Sequence, residues 1–116
     1  MRTVVFEVIS PAEAFARLQG EAANPSVARA SARIGFPSVE AMARLMTPTR
    51  WTLVEKLTGG EPLGVRELAR RLGRDVKGVH TDAAALVKAG VIDRTAEGKY
   101  SFPFDAVHVD FLLKAA

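Results

Sequence analysis

The chain has 116 residues, 48% of them hydrophobic and 25% charged, with a formal net charge of +3. That length suits a single domain with a modest core, and so mild a basic balance identifies no ligand class by itself. There is no cysteine, which excludes disulfides, thiol nucleophiles and cysteine-based zinc sites and fits a reducing cytoplasm. No apolar run reaches membrane-spanning length, and the start of the chain lacks the form of a signal peptide.

Thr3 to Ile9 alternates, with Val4, Phe6 and Val8 on one face, and is predicted to be a strand. Ser10-Pro11-Ala12-Glu13 opens a helix: Ser10 caps it, Pro11 suits the first helical position and Glu13 completes a capping box. Ala14, Phe15, Leu18 and Ala22 form its apolar stripe, and Asn24-Pro25 ends it. Ser26 to Gly35 carries Arg29 and Arg33 among small residues and reads equally as a loop or a short helical turn. Ser38 caps a helix with Val39, Met42, Leu45 and Met46 apolar. Thr47-Pro48 starts another, whose Trp51, Val54 and Leu57 belong to the core. Gly59-Gly60 and Pro62 stop it.

Val65 to Gly90 reads as two helices joined by a tight turn at Gly73. At 100° per residue, Val65, Leu68, Ala69 and Leu72 gather on one face of the first. Val76, Val79, Ala83, Leu86 and Val87 gather on one face of the second. Its opposite face carries Arg74, Lys77, Gly78, Thr81, Ala85 and Lys88, with no large apolar side chain and no carboxylate. Such a face approaches a phosphate backbone without repelling it, as a recognition helix must. Between Arg66 and His80, five Lys or Arg stand against two acids, so this segment alone has the net charge of the whole chain. Gly90 supplies a left-handed stop. Val91 to Thr95 and Lys99 to Phe102 read as a β-hairpin turning at Ala96-Glu97-Gly98, a wing with Arg94 and Lys99 beside its tip. Ala106 to Lys114 alternates again, with Val107, Val109, Phe111 and Leu113 on one face. The two terminal strands invite pairing, within a subunit or across a dimer. A dimer-forming sheet is favoured because a terminal strand leaves an exposed edge.

Several runs together resemble prokaryotic winged helix-turn-helix transcriptional regulators. They are Val65-Arg66-Glu67-Leu68-Ala69, Leu72-Gly73-Arg74-Asp75, Val79-His80 with Asp82, and Leu86 followed by Gly90-Val91-Ile92. The group in question is MarR-like, and some of its members look like antitoxins. Gly64 stands where that pattern has a Ser or Thr cap, and Thr81 where it has a basic residue. The resemblance implies an α+β fold: a winged helix-turn-helix domain over residues 36–116 with a C-terminal strand. Residues 1–35 would form a strand-and-helix extension for dimerisation or partner binding.

The expected function is sequence-specific binding of double-stranded DNA by a homodimer that represses by occluding its operator. Lys77, Thr81 and Arg74 are expected to reach bases or phosphates in the major groove. Gly78 is read as keeping bulk away from the DNA. Arg66, Arg70, Arg71, Lys88, Arg94 and Lys99 are candidate phosphate contacts. His80 lies beside the core face, where a buried or half-buried hydrogen-bonding role is favoured over phosphate contact at the groove edge. Asp75, Asp82 and His80 share no helical face, so no enzyme activity is expected. No metal or other cofactor is expected either. Two rivals remain: an antitoxin that masks a cognate toxin and regulates its own operator, and a winged-helix protein-interaction module without a nucleic-acid role.

Overall fold

The computed structural model describes residues 1–21 and 32–113. In chain order the elements are β1 (Thr3–Val8), α1 (Pro11–Ala16, continued by a π-helical turn Arg17–Glu21), β2 (Arg33–Phe36), α2 (Val39–Leu45), α3 (Pro48–Leu57), α4 (Val65–Leu72), α5 (Val76–Lys88), β3 (Asp93–Arg94), β4 (Tyr100–Ser101) and β5 (Ala106–Asp110). The fold is α+β. Hydroxyl caps start three helices: Ser10 accepts from Glu13 N, Ser38 from Ala41 N and Thr47 from Arg50 N, with Pro11 and Pro48 in the first turn of theirs. These starts are local chemistry, which is why the sequence predicts them.

β1 is the centre of a three-stranded, wholly parallel sheet of order β2-β1-β5. A central strand must bury both faces, and its alternation supplies one apolar face for the helices. Val4 and Phe6 are fully buried there. The Phe6 ring stacks on Trp51 of α3 at 5.5 Å and meets Phe36 at 5.8 Å and Phe102 at 6.4 Å. One side chain thus joins the sheet to the helices and to the segment after β4. Leu53, Leu57, Leu68, Val79, Leu86, Ile92 and Tyr100 complete the same core.

Several expectations change. The terminal strands pair within one chain, and β1 has both edges occupied by β2 and β5, so β1 offers no edge to a dimer sheet. Arg33–Phe36 is a strand rather than a loop or helical turn. Four residues including a glycine carry too little alternation to signal one. The rest of the stretch expected as loop or turn, residues 26–31, lies outside the described residues, as do Ala22, Asn24-Pro25 and Lys114. β5 ends at Asp110, short of the expected Lys114. The hairpin strands shrink to two residues each, because Val91 and Ile92 fold into the core as the exit from α5. The hairpin gains a third partner: Leu63 and Tyr100 exchange backbone hydrogen bonds of 2.9 and 2.8 Å.

The α1 stripe is also not a core face. Phe15 is 62% exposed and Leu18 86%. A helical wheel gathers apolar residues but cannot say whether a surface exists to cover them. Beneath this helix the sheet carries Glu7, whose carboxylate is held by Arg17 at 2.8 Å and Arg33 at 2.6 Å. Burial pushes the Glu7 carboxyl up, but the Arg33 and Arg17 guanidiniums outweigh it and hold it below the usual carboxylate range.

Removing the Phe6 ring opens a cavity where three elements meet. Phe6→Ala is expected to lower stability by about 3–5 kcal/mol, read as a lower urea midpoint. An unchanged midpoint would place β1 outside the cooperative core.

Candidate functional site

The α4–α5 pair is built as its spacing predicts. Leu68 and Ala69 of α4 and Val79, Ala83 and Leu86 of α5 are buried. Gly73 closes α4 at φ 65°, where a Cβ would be strained. Arg74 N–H then donates to Ala69 O at 3.0 Å. Asp75 caps α5, its carboxylate accepting from Gly78 N at 3.0 Å. Gly64 precedes α4 with no side-chain cap. Val76 departs from its expected place: it is exposed, because the first helical residue precedes the point where α5 crosses the core.

Asp82 organises the back of this unit, and the apolar spacing does not reveal it. It is 9% exposed. Arg50 of α3 donates from Nε to its Oδ1 at 3.1 Å and from NH1 to Leu45 O at 3.1 Å. Arg74 Nη1 stands 2.8 Å from Oδ2, an ion-pair contact. Burial pushes the Asp82 carboxyl up, and the two guanidiniums overcome this and hold it below its usual range. A carboxylate three residues after Val79 and four before Leu86, at the border of the apolar face, is the signal in the sequence.

This arrangement sorts the candidate residues. Arg74 is held inward by Asp82. Arg70 and Arg71 both bind Glu67, the latter at 2.8 Å. Hydrogen bonds from Arg70 and then Arg71 pull the Glu67 carboxyl down to about 2. His80 is exposed rather than buried or half-buried, so the core-side role has no structural basis. A Cβ at Gly78 would lie 3.0 Å from Asp75 Oδ1 and 3.2 Å from Arg74 Nη2, so a side chain there would press on the ends of the capping carboxylate and of the Arg74 guanidinium.

What remains on the outer strip of α5 is Lys77, His80, Thr81, Ala84 and Lys88, all exposed, and the one carboxylate in this stretch, Asp82, is buried on the other side of the helix. Thr81 donates its hydroxyl hydrogen to Lys77 O at 3.0 Å, leaving its lone pairs free to accept. Arg66 is exposed on α4. On the hairpin, Lys99 is exposed, and the exposed Arg94 guanidinium stands 5.7 Å from the Tyr100 ring centroid. Thr95 Oγ1 accepts from Lys99 N at 3.0 Å and braces the turn. Arg66, Lys77, Lys88, Arg94 and Lys99 form no ion pair among the described residues.

The apolar pockets lie elsewhere, beside β5 and over Glu7. Among the described residues no three of His, Asp and Glu converge as metal ligands, and no helix is long and apolar enough to cross a membrane.

The HVO_A0114 family matches residues 45–109, more than half of the chain, from the last residue of α2 into β5. No curated protein and no solved structure matches.

The Asp82 cluster has a pH signature. A carboxyl held below its ordinary 3.8 contributes stability that is fully present above that value and is lost as pH falls through the depressed one. Asp82→Asn is expected to cost about 2 kcal/mol at pH 7, the scale of a hydrogen bond to a charged group. The deficit should shrink below about pH 4, where Asp82 of the unfolded chain begins to take up a proton while the folded one is still ionised. Urea unfolding at pH 7 and pH 3 measures both, and a deficit equal at the two pH values would contradict the ionised cluster.

Proposed function

The chain belongs to the HVO_A0114 family, and from the geometry of its α4–α5 face we propose that it is a winged helix-turn-helix regulator that binds double-stranded DNA as a homodimer. The observation that carries this reading is the exposed strip of α5, where Lys77, Thr81 and Lys88 stand free of carboxylates. α5 enters the major groove. Lys77 and Thr81 meet base edges, Thr81 as an acceptor, and Lys88 meets the backbone further along. Arg66 on α4 and Arg94 and Lys99 on the hairpin engage phosphates on either side. Arg74 acts from behind, fixing the turn through Asp82. Two such helices in successive major grooves read half-sites about 34–36 Å apart, and the bound dimer represses by occupying the operator.

A second reading keeps this fold and adds a protein partner. Phe15 and Leu18 present apolar surface on α1, the kind of patch that marks an interaction site. A cognate toxin held there would make the chain an antitoxin that also binds its own operator. Phe6, fully buried, takes no part in such a surface.

Fluorescence anisotropy with the DNA upstream of its own gene, against an unrelated duplex, tests the main reading. The native chain is expected to prefer its own DNA, with affinity falling steeply as salt rises. Lys77→Ala should weaken binding and narrow the preference for its own DNA, Lys88→Ala should lower the log–log salt slope by about 1, and Phe15→Ser should leave all three unchanged. Absent binding, or equal binding to the two duplexes that is indifferent to Lys77, would instead favour a protein-interaction module.

A further inference from the structure

Among the described residues β5 has a single neighbour, β1. Ala106 N–H donates toward β1, to Arg2 O at 3.3 Å. Successive residues of a strand turn their backbone groups to opposite sides. Ala106, His108 and Asp110 therefore bond β1, and Val107 and Val109 turn their N–H and C=O outward. This edge has none of the lysines, prolines or bulges that blunt exposed strands. Its side chains are apolar as well. Val109 is 42% exposed and Phe111 46%, and together with Met42, Met46 and Trp51 they border an open groove of about 480 Å³. His108 and Asp110 lie on the other face of the strand and are exposed.

We propose that this edge binds the same edge of a second copy, antiparallel and centred on Val109. The inference rests on the dimeric half of the reading above and not on its DNA half. A two-fold antiparallel pair must set outward-turned backbone groups opposite each other. Centred on Val109, the pairing places Val109 against Val109 of the partner subunit and Val107 against Phe111 of the partner subunit. His108 then faces Asp110 of the partner subunit, and the symmetry makes this contact twice. Moving the centre to Asp110 sets two aspartates face to face, and moving it to His108 sets two histidines face to face. Two aspartates directly opposite destabilise a sheet, and a centre at His108 forfeits both His108–Asp110 contacts, so the His–Asp pairing selects the Val109 register. That register also brings Phe111 of the partner subunit beside Val107, which with Trp51, Val54 and Thr58 lines an open pocket of about 330 Å³. An exposed aromatic and an open apolar pocket thus meet in the register that the His108–Asp110 pairing selects independently. The result is a continuous six-stranded sheet with β1 buried in each half.

Sedimentation equilibrium of the full chain tests the interface. The native chain is expected to dimerise. His108→Asp, which turns two attractive pairs into two repulsive ones, should raise the dimer dissociation constant about tenfold or more. H108D combined with D110K should bring it back toward the native value. The chain has no cysteine, so V109C supplies a single thiol at the two-fold axis. It should cross-link on mild oxidation, whereas H108C should not. A monomeric native chain, a dimer indifferent to H108D, or cross-linking through H108C in place of V109C overturns the proposal. Anisotropy on the same samples separates the two readings. A native monomer that still prefers its own upstream DNA removes this interface and leaves the DNA reading standing. A dimer weakened by H108D that prefers no DNA upholds the interface and removes the DNA reading.

Discussion

A carboxylate taken out of water must be paired, or its burial outweighs anything it gains. Asp82 satisfies that constraint with two guanidiniums from different elements, Arg50 on α3 and Arg74 on the turn into α5. The ion cluster therefore orients α5 relative to its support, and the angle at which the Lys77–Lys88 strip faces outward depends on it. Glu7 repeats the device on the far side of the sheet, between Arg17 and Arg33. Each cluster joins segments far apart in sequence: Asp82 lies 32 residues from Arg50, and Glu7 lies 26 from Arg33. Removing one partner would leave an unpaired buried charge, so both clusters define geometry more than they add net stability.

These clusters change what the basic composition means. The segment from Arg66 to His80 has five Lys or Arg by count, yet Arg70 and Arg71 converge on Glu67, and Arg74 converges on Asp82. Lys77 and Arg66 are the members left unpaired among the described residues. Counting charge along a sequence treats every arginine as available. Arginine, with its planar fork of donors, is the side chain most suited to structural pairing, whereas Lys77, at the start of the exposed strip, has no ion-pair partner among the described residues.

The parts legible in the sequence are those set by neighbours a few residues apart. Ser10-Pro11, Ser38 and Thr47-Pro48 start helices where expected, and Gly73 and Gly90 take positive φ. The buried faces of α4 and α5 follow their spacing, apart from Val76 at the very start of α5. What was not legible depends on partners far away. β2 is visible as a strand only beside β1. Whether Phe15 is covered depends on the charged sheet face beneath it. His80 is exposed although it borders the core face, and Asp82 is buried although it is charged, because Arg50 and Arg74 come to it from outside its own helix. Gly78 shows the same limit: its close neighbours are the side-chain ends of Asp75 and Arg74, which no helical wheel displays.

The sheet links these local matters to the proposed assembly. With β1 enclosed by β2 and β5, a second copy can extend the sheet only at an outer edge, and of the two strands there β5 presents exposed valine and an alternating charge pair. The α5 strip and the β5 edge stand on different elements joined through one core. Phe6 touches Trp51 of α3 on one side and Phe102, just before β5, on the other. A rigid core between two surfaces carries orientation from one to the other, since close-packed interiors transmit displacement rather than absorb it. On the proposed reading, the separation of two recognition helices is then a property of the β5 register. A slip along that edge would alter the distance between the helices, and so the half-site spacing, without touching a residue that meets DNA.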